Sequence, residues 1–265
     1  MKIITTMFSY EKKNYDYSLM HDVFIKSCNA HCPDVEVITL FLEVSVVNDN
    51  KKPGCWTNTA KLREMVKCAE TINDDIILAD CDMLCTGDFR HAFDIDFDIA
   101  YTRKREDHNT SCVLNGGILF IKNNPVARDW LRSLLETNEK MYSDKSFHEY
   151  WKKKYYGQVQ AAMGCMIESN HPARVYAYDT LTWNCVDIDW ECFNDNTVFV
   201  HIKGRLRESI LDHCGYEEHE KIMNEWYKYC ENKSYTIKEK PIIRQKPKIV
   251  IHKRYAGVYN DKRRE

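Results

Sequence analysis

A chain of 265 residues that is 44% hydrophobic and 12% aromatic can bury a sizeable core, and its length suits one large domain with an appendage. The formal net charge of -2 is unevenly placed: from Lys233 onward 11 Lys/Arg face 3 Asp/Glu, which gives this last segment about +8 and the remainder about -10. An acidic body argues against a protein that grips nucleic acid across its whole surface. No apolar run approaches the roughly 18 residues of a spanning helix, and MKIITTMFSYEKK lacks the apolar region of a signal peptide. The expectation is a cytoplasmic protein whose 12 cysteines are reduced thiols; the C-x3-C pairs Cys28/Cys32 and Cys81/Cys85 lack a second half, so no structural zinc is expected.

In chain order, Lys2–Met7 reads as a first strand, and apolar positions 19, 20, 23, 24 and 28 give helical spacing over Tyr17–Cys28. Val35–Leu40 alternates as a second strand. Thr57 or Asn58 caps a helix whose inner face is Leu62, Met65, Val66 and Ala69. Ile76–Ala79 is a short apolar strand bounded by acids, as in a buried parallel sheet, and it runs into Asp80-Cys81-Asp82. Further strands are expected at Phe97–Tyr101, Cys112–Ile121, Arg174–Tyr178 and Thr197–Ile202. Helices are expected from Pro125, over Phe147–Met163 with an interruption near Gly157, and over Tyr216–Cys230. The order predicts an α/β fold: a mostly parallel sheet with helices on both faces. The expected organisation is a domain over 1–210, a C-terminal helix over 211–232, and a basic, extended segment over 233–265.

Ligands of such sheets sit beyond the carboxyl ends of the strands. Two carboxylates there repel and are costly to desolvate unless a cation holds them. Hard oxygen donors suit Mn2+ or Mg2+, ions that bridge carboxylates to substrate phosphates. Asp80 and Asp82 therefore read as a site for a metal-bound nucleoside diphosphate, against the plainer reading of a solvated acidic turn. His201 follows the apolar Val198-Phe199-Val200 at a strand end and opens His201-x-x-Gly204-x-x-Arg207. Two glycines interrupt the strand at Asn115-Gly116-Gly117, marking a bulge or a close approach by another group.

The ordered set of the D-x-D, the Asn-Gly-Gly strand, Gln158 and His201–Arg207 resembles nucleotide-sugar-dependent glycosyltransferases of the GT-A type. The likeness is to the small retaining group of glycogenin-like and bacterial galactosyltransferase-like enzymes, and it spans roughly 1–210. The resemblance implies Asp80, Asp82 and His201 as metal ligands, with Asp80 also touching the donor together with Cys81. It implies Arg207, in place of the family's Lys, and Gly204 at the diphosphate, and Asn115, Gly116 and Gly117 at the donor sugar. Gln158 corresponds to the Gln of the family's Asp-Gln pair near the reacting sugar, so Gln158 and Asn115 are the candidate catalytic residues. Lys61 or Arg63, the latter preferred for its spacing to Asp80, would reach the diphosphate. Thr5, Thr6 and Tyr10 fall in the base-binding zone, with Phe8 a rival for stacking. Two departures stand out: Gly157 replaces the Asp of the Asp-Gln pair, and Glu208-Ser209 replaces the family's Pro-Trp.

The implied reaction is metal-dependent transfer of a sugar, from a UDP-hexose by expectation, to an acceptor hydroxyl with retention; Asp107, Asp179 and Asp187 remain candidate bases if it inverts. The partners implied are the nucleotide-sugar donor and an acceptor that could be glycan, protein, lipid or nucleic acid. The basic segment, with Tyr255 and Tyr259 among Lys248, Lys253, Arg254 and Arg263, could touch an anionic acceptor or membrane surface. Two other classes stay open. A sugar-phosphate nucleotidyltransferase would need a Gly-rich phosphate loop that MFSYEKKNYD lacks, and an inactive binding protein of the same fold is favoured only by Gly157.

Overall fold

A computed structural model describes residues 1–10, 17–44, 53–104, 113–231 and 234–238; the side chains of residues 9, 10, 44 and 53–55 lie outside the described set. The elements alternate through β1 (Lys2–Tyr10), α1 (Ser18–His31), β2 (Glu36–Val44), α2 (Pro53–Thr71) and β3 (Ile76–Asp80). After β4 (Met83–Cys85) come β5 (Ile99–Arg103), β6 (Leu114–Ile121), α3 (Pro125–Ser143), α4 (Lys145–Tyr155), α5 (Val159–Ile167), β7 (Val175–Asp179) and α6 (Thr180–Trp183). The chain then runs through β8 (Phe199–His201), α7 (Gly204–Leu211), β9 (Cys214–Tyr216), α8 (Glu220–Tyr227) and β10 (Thr236–Lys238).

Six strands form one sheet in the order β2-β1-β3-β6-β5-β7. β1 lies parallel to β2 and β3, and β5 parallel to β7; β6 alone runs antiparallel between β3 and β5. The expected mostly parallel α/β architecture is present, in a mixed sheet. Ile76, Ile77, Leu78 and Ala79 of β3 are all buried, because helices cover both faces of the sheet at its centre. One face packs Leu62, Met65 and Val66 of α2 with Trp130, Leu131 and Leu134 of α3. The other packs Phe24 and Cys28 of α1 with Phe89, Phe97, Phe120 and Phe199. A third cluster joins Met20 and Val23 of α1 to Leu206, Ile210, Ile222 and Trp226, which fastens α7 and α8 to the body.

Local chemistry sets several boundaries. Asn124 Oδ1 accepts from Ala127 N at 2.8 Å and so satisfies a first-turn donor, while Pro125 opens α3 with a ring that fixes φ near the helical value. Asp144 caps α4 in the same way at Phe147 N, 3.0 Å. The interruption expected near Gly157 within Phe147–Met163 is the break between α4 and α5, where Tyr156 and Gly157 take positive φ values of 52° and 68° and turn the chain. The expected helix over Tyr216–Cys230 begins only at Glu220, since Cys214–Tyr216 is drawn into a parallel pair with β10. α7 was not anticipated: its eight residues carry too few turns for periodicity to show. Among the described residues no helix is long and apolar enough to cross a membrane.

Asp98, ahead of β5, ties three segments together. Its Oδ1 accepts from Asn124 Nδ2 and Arg174 Nη2, both at 2.9 Å, and its Oδ2 accepts from Arg174 N and Nε at 2.8 and 3.0 Å. The Arg174 guanidinium and these further donors hold the buried Asp98 carboxyl down at about 2 against the opposing effect of burial. A depressed acid stabilises the fold above its unfolded value near pH 4, and that stabilisation is lost as pH falls through about 2. Discounted for the half-exposed Arg174, the contribution is about 1–2 kcal/mol. Urea unfolding between pH 5 and pH 2 should show this loss in the wild type, and Asp98→Asn should be less stable near neutrality with a flatter acid limb.

Candidate active site

The carboxyl edge of the sheet holds the site. β3 delivers Asp80 at its last residue, and the turn through Cys81 and Asp82 leads into β4. β4 pairs antiparallel with β8, with Met83 opposite His201. The backbone N–H of Ile202 donates to Asp82 O at 2.8 Å and that of His201 to Cys185 O at 2.9 Å. This short ladder carries His201 across more than a hundred residues of sequence to the two acids. One donor atom from each of Asp80, Asp82 and His201 lies within 4.8 Å of the others. His201 Nε2 stands 3.7 Å from Asp80 Oδ2 and 3.4 Å from Asp82 Oδ1.

Each acid has its second oxygen on a basic side chain. Lys61 Nζ donates to Asp80 Oδ1, and Arg207 Nη2 donates to Asp82 Oδ2. Arg207 is itself fixed: its Nε donates to Ile202 O at 3.1 Å, its Nη1 to Tyr17 Oη at 3.0 Å, and its guanidinium lies 5.0 Å from the Tyr17 ring centre. Burial pushes the Asp82 carboxyl up, but His201, Arg207 and Lys61 outweigh it and hold the group down at about 2. Burial pushes the Lys61 ammonium down, and contact with Asp80 more than reverses this, so it stays charged. The Cys81 thiol is pushed up to about 12, first by burial and then by Asp82 and Asp80, and remains neutral.

Two adjoining cavities open on this edge. One of about 150 Å³ is lined by Thr6, Phe8, Tyr17, Thr57, Asn58, Lys61, Asp80, Cys81 and Asp82. The other, of about 210 Å³, has Lys61, Asp80 and His201 on its metal side and Lys104, Asn115, Gly116, Gly117, Gln160 and Lys203 around it. The buried Thr6 hydroxyl has no partner among the described residues; Thr5 is fully buried and lines neither cavity. The side chain of Tyr10 lies outside the described residues, as do Asp107 and the segment from residue 239 onward.

The Asn115-Gly116-Gly117 stretch is both a bulge and a close approach. The β5–β6 register jumps from Tyr101↔Leu119 to Thr102↔Asn115, leaving residues 116–118 out of the ladder. Asn115 Oδ1 accepts from Gly117 N at 2.9 Å. A Cβ on Gly117 would fall 2.7 Å from both Cε1 and Nδ1 of His201, so the glycine makes room for the imidazole. Gly117→Ala should displace the ring and weaken Mn2+ binding by about 10–100-fold while leaving the fold intact, measured by Mn2+ titration. Unchanged Mn2+ affinity would show that this contact does not position the ring. Gly204 opens α7 with φ 49°, a second place where the backbone favours glycine.

Other residues singled out from sequence fall elsewhere. Arg63 turns to α3 and pairs with Glu139 at 2.8 Å, whereas Lys61 reaches Asp80. The two are two positions apart on α2 and point different ways. Gln158 is only 4% exposed; its Nε2 donates to Thr59 Oγ1 at 2.8 Å and Asn138 O at 3.3 Å, so it braces α2 and α3 from within. Gln160 lines the cavity instead. Asp179 caps α6 by accepting from Thr182 N at 2.7 Å. Asp187 lies between Lys203, 3.5 Å away, and Lys104, 4.0 Å away. Sequence reasoning missed Tyr17, Lys104, Gln160 and Lys203 altogether and read Asn58 only as a helix cap. The one local signal was the Asn58–Lys61 spacing, which puts both on one helix face.

The donor set fits a hard divalent cation. Two carboxylates and an imidazole present convergent lone pairs on one side, while Lys61 and Arg207 occupy the outer oxygens.

No protein-family model matches the chain, and no curated protein does. Solved structures match in fold. A glycosyltransferase involved in glycosylation of the major capsid of PBCV-1 superimposes with TM-score 0.56 at 15% identity, over 78% of this chain and 95% of that one. The galactosyltransferase LgtC, solved with donor and acceptor sugar analogues, matches with TM-score 0.50 at 14% identity, over 77% of this chain and 87% of its own. The fold is that of the GT-A glycosyltransferases.

Proposed function

We propose that this chain is a divalent-metal-dependent glycosyltransferase, with residues 1–210 as its catalytic unit, that moves a hexose from a UDP-linked donor to an acceptor hydroxyl with retention. The observation that carries the reading is the division of labour at Asp80 and Asp82: one oxygen of each is neutralised by Lys61 or Arg207, and the other turns towards His201 Nε2. With both acids so paired, the cluster is close to neutral on its own. A divalent ion bound there gives it about +2, which complements the doubly negative diphosphate of a sugar nucleotide.

Asp80, Asp82 and His201 would hold Mn2+ or Mg2+, which when bound supplies Lewis-acid stabilisation of the departing diphosphate. The chain's own groups do the remaining work. Thr6 and Phe8 offer a hydroxyl and a flat ring to the nucleotide in the smaller cavity. Asn115 and Gln160 offer amides to sugar hydroxyls in the larger one. Lys61, which lines both cavities, would stabilise the charge that grows on the leaving phosphate oxygen.

Among the described lining residues of the larger cavity the one carboxylate is Asp80, tied to Lys61 and turned to His201, which favours retention. Asp187, which does not line the cavity, lies between two ammonium groups. The bond from the anomeric carbon to the diphosphate oxygen breaks, the acceptor oxygen bonds to the same face, and its proton passes to the departing phosphate.

Donor hydrolysis with Mn2+ and with EDTA tests the reading. Mn2+-dependent release of UDP supports it, and no release from any UDP-hexose overturns it. Proton NMR of fresh product tests stereochemistry, since an inverted anomer would overturn retention.

A further inference from the structure

Among the described residues, charge around the larger cavity does not balance once the pairs at Asp80 and Asp82 are set aside. Lys61 is matched by Asp80 and Arg207 by Asp82. Lys104 and Lys203 share one acid among the described residues, Asp187, at 4.0 and 3.5 Å. These two lysines line the cavity beside Asn115, Gly117 and Gln160, on its sugar side, whereas Asp187 is not among the lining residues.

Their placement is deliberate in physical terms. Lys104 is only 7% exposed, a rare state for lysine, and its backbone N–H is pinned to Val113 O at 2.9 Å. It follows the last residue of β5, Arg103, while Lys203 is the N-cap of α7 two residues after His201, so two separate elements bring the ammonium groups to Asp187. A buried lysine with a 4.0 Å ion pair as its partner is poorly compensated for lost hydration. An anion placed in the cavity would supply what Asp187 alone does not.

We infer that the sugar subsite is built for a hexose bearing a carboxylate, a hexuronate, with Lys104 and Lys203 holding that carboxylate. The inference rests on the sugar-transfer reading above and narrows its donor from neutral hexose to a uronic acid. A neutral hexose leaves two ammonium groups sharing one acid in a confined space; a monoanion brings the group to neutrality with charge-assisted hydrogen bonds. Sites that rely on buried polar partners discriminate strongly against analogues lacking the matching group.

The test is a panel of UDP-glucose, UDP-galactose, UDP-glucuronate and UDP-galacturonate with the full chain and Mn2+. Thermal stabilisation and UDP release are both read. One uronate is expected to exceed its neutral counterpart at least tenfold in kcat/KM. Lys104→Met and Lys203→Gln are expected to collapse that ratio towards one, and reading the ratio keeps the result independent of any loss of folded protein. Lys203 is the more exposed, so its variant serves where Lys104→Met folds poorly. Turnover of neutral hexoses with no uronate preference overturns the inference and leaves sugar transfer standing. A uronate preference unmoved by either variant overturns the assignment to these lysines. No stabilisation or release from any of the four donors means that the sugar-transfer reading itself has failed.

Discussion

Asp82→Asn should abolish Mn2+-stimulated donor hydrolysis, lowering kcat/KM by about a thousandfold or more. The substitution keeps the side chain's volume, so the β4–β8 ladder that runs through its backbone is undisturbed: Ile202 still donates to the carbonyl of residue 82. What changes is charge. The oxygen that faces His201 Nε2 at 3.4 Å becomes part of a neutral amide, a much weaker ligand for a hard cation. Arg207 loses its anionic partner and keeps Tyr17 Oη and Ile202 O. The freed guanidinium adds positive charge beside the cation and opposes its binding further. Two measurements check this. Mn2+ should raise the melting temperature of the wild type by mass action and leave that of Asp82→Asn nearly unmoved. If the variant keeps Mn2+-stimulated turnover within tenfold of wild type, Asp82 is not a ligand.

The second large effect is expected at Arg207. Asp82 is 7% exposed and ionised, and Arg207 is its guanidinium partner. Arg207→Met strands that charge, and breaking one side of a buried pair costs about 3–5 kcal/mol. For a domain of this size that corresponds to roughly 10 °C in melting temperature, measured in EDTA. Added Mn2+ should recover much of the loss, because the metal substitutes for the guanidinium as counter-charge to Asp82. Arg207→Lys should fall between the two: it keeps charge but cannot reach Tyr17 Oη, Ile202 O and Asp82 at once, as the planar fork does. Equal destabilisation of Arg207→Met with and without Mn2+ would separate the guanidinium's role from the metal site.

The first half of the fold was legible because its signals are local. Ile76–Ala79 is an uninterrupted apolar run of strand length ending in an acid, and it forms the central β3. Pro125 after Asn124 announces the start of α3. The second half was less so. Residues 204–227 hold short elements, and the pairing of β9 with β10 draws residues 214–216 away from helix. The antiparallel course of β6 has no mark in its composition either: a buried strand looks the same in both directions.

The site divides along the same line. Sequence by itself marked Asp80, Asp82 and His201 as ligand-type side chains at expected strand ends, and Gly116 and Gly117 as a break within a strand. Spacing along one segment was enough to see them. Only the tertiary structure decided which of several neighbours face the cleft. It set Lys61 rather than Arg63 against Asp80, turned Gln160 rather than Gln158 into the cavity, and brought Lys104 and Lys203 to one Asp187. The reason is physical. Residues two apart on a helix point in different directions, and the direction that becomes the cleft is set by packing against elements distant in sequence. The β4–β8 pair, which seats His201 beside Asp82, is a contact of that kind.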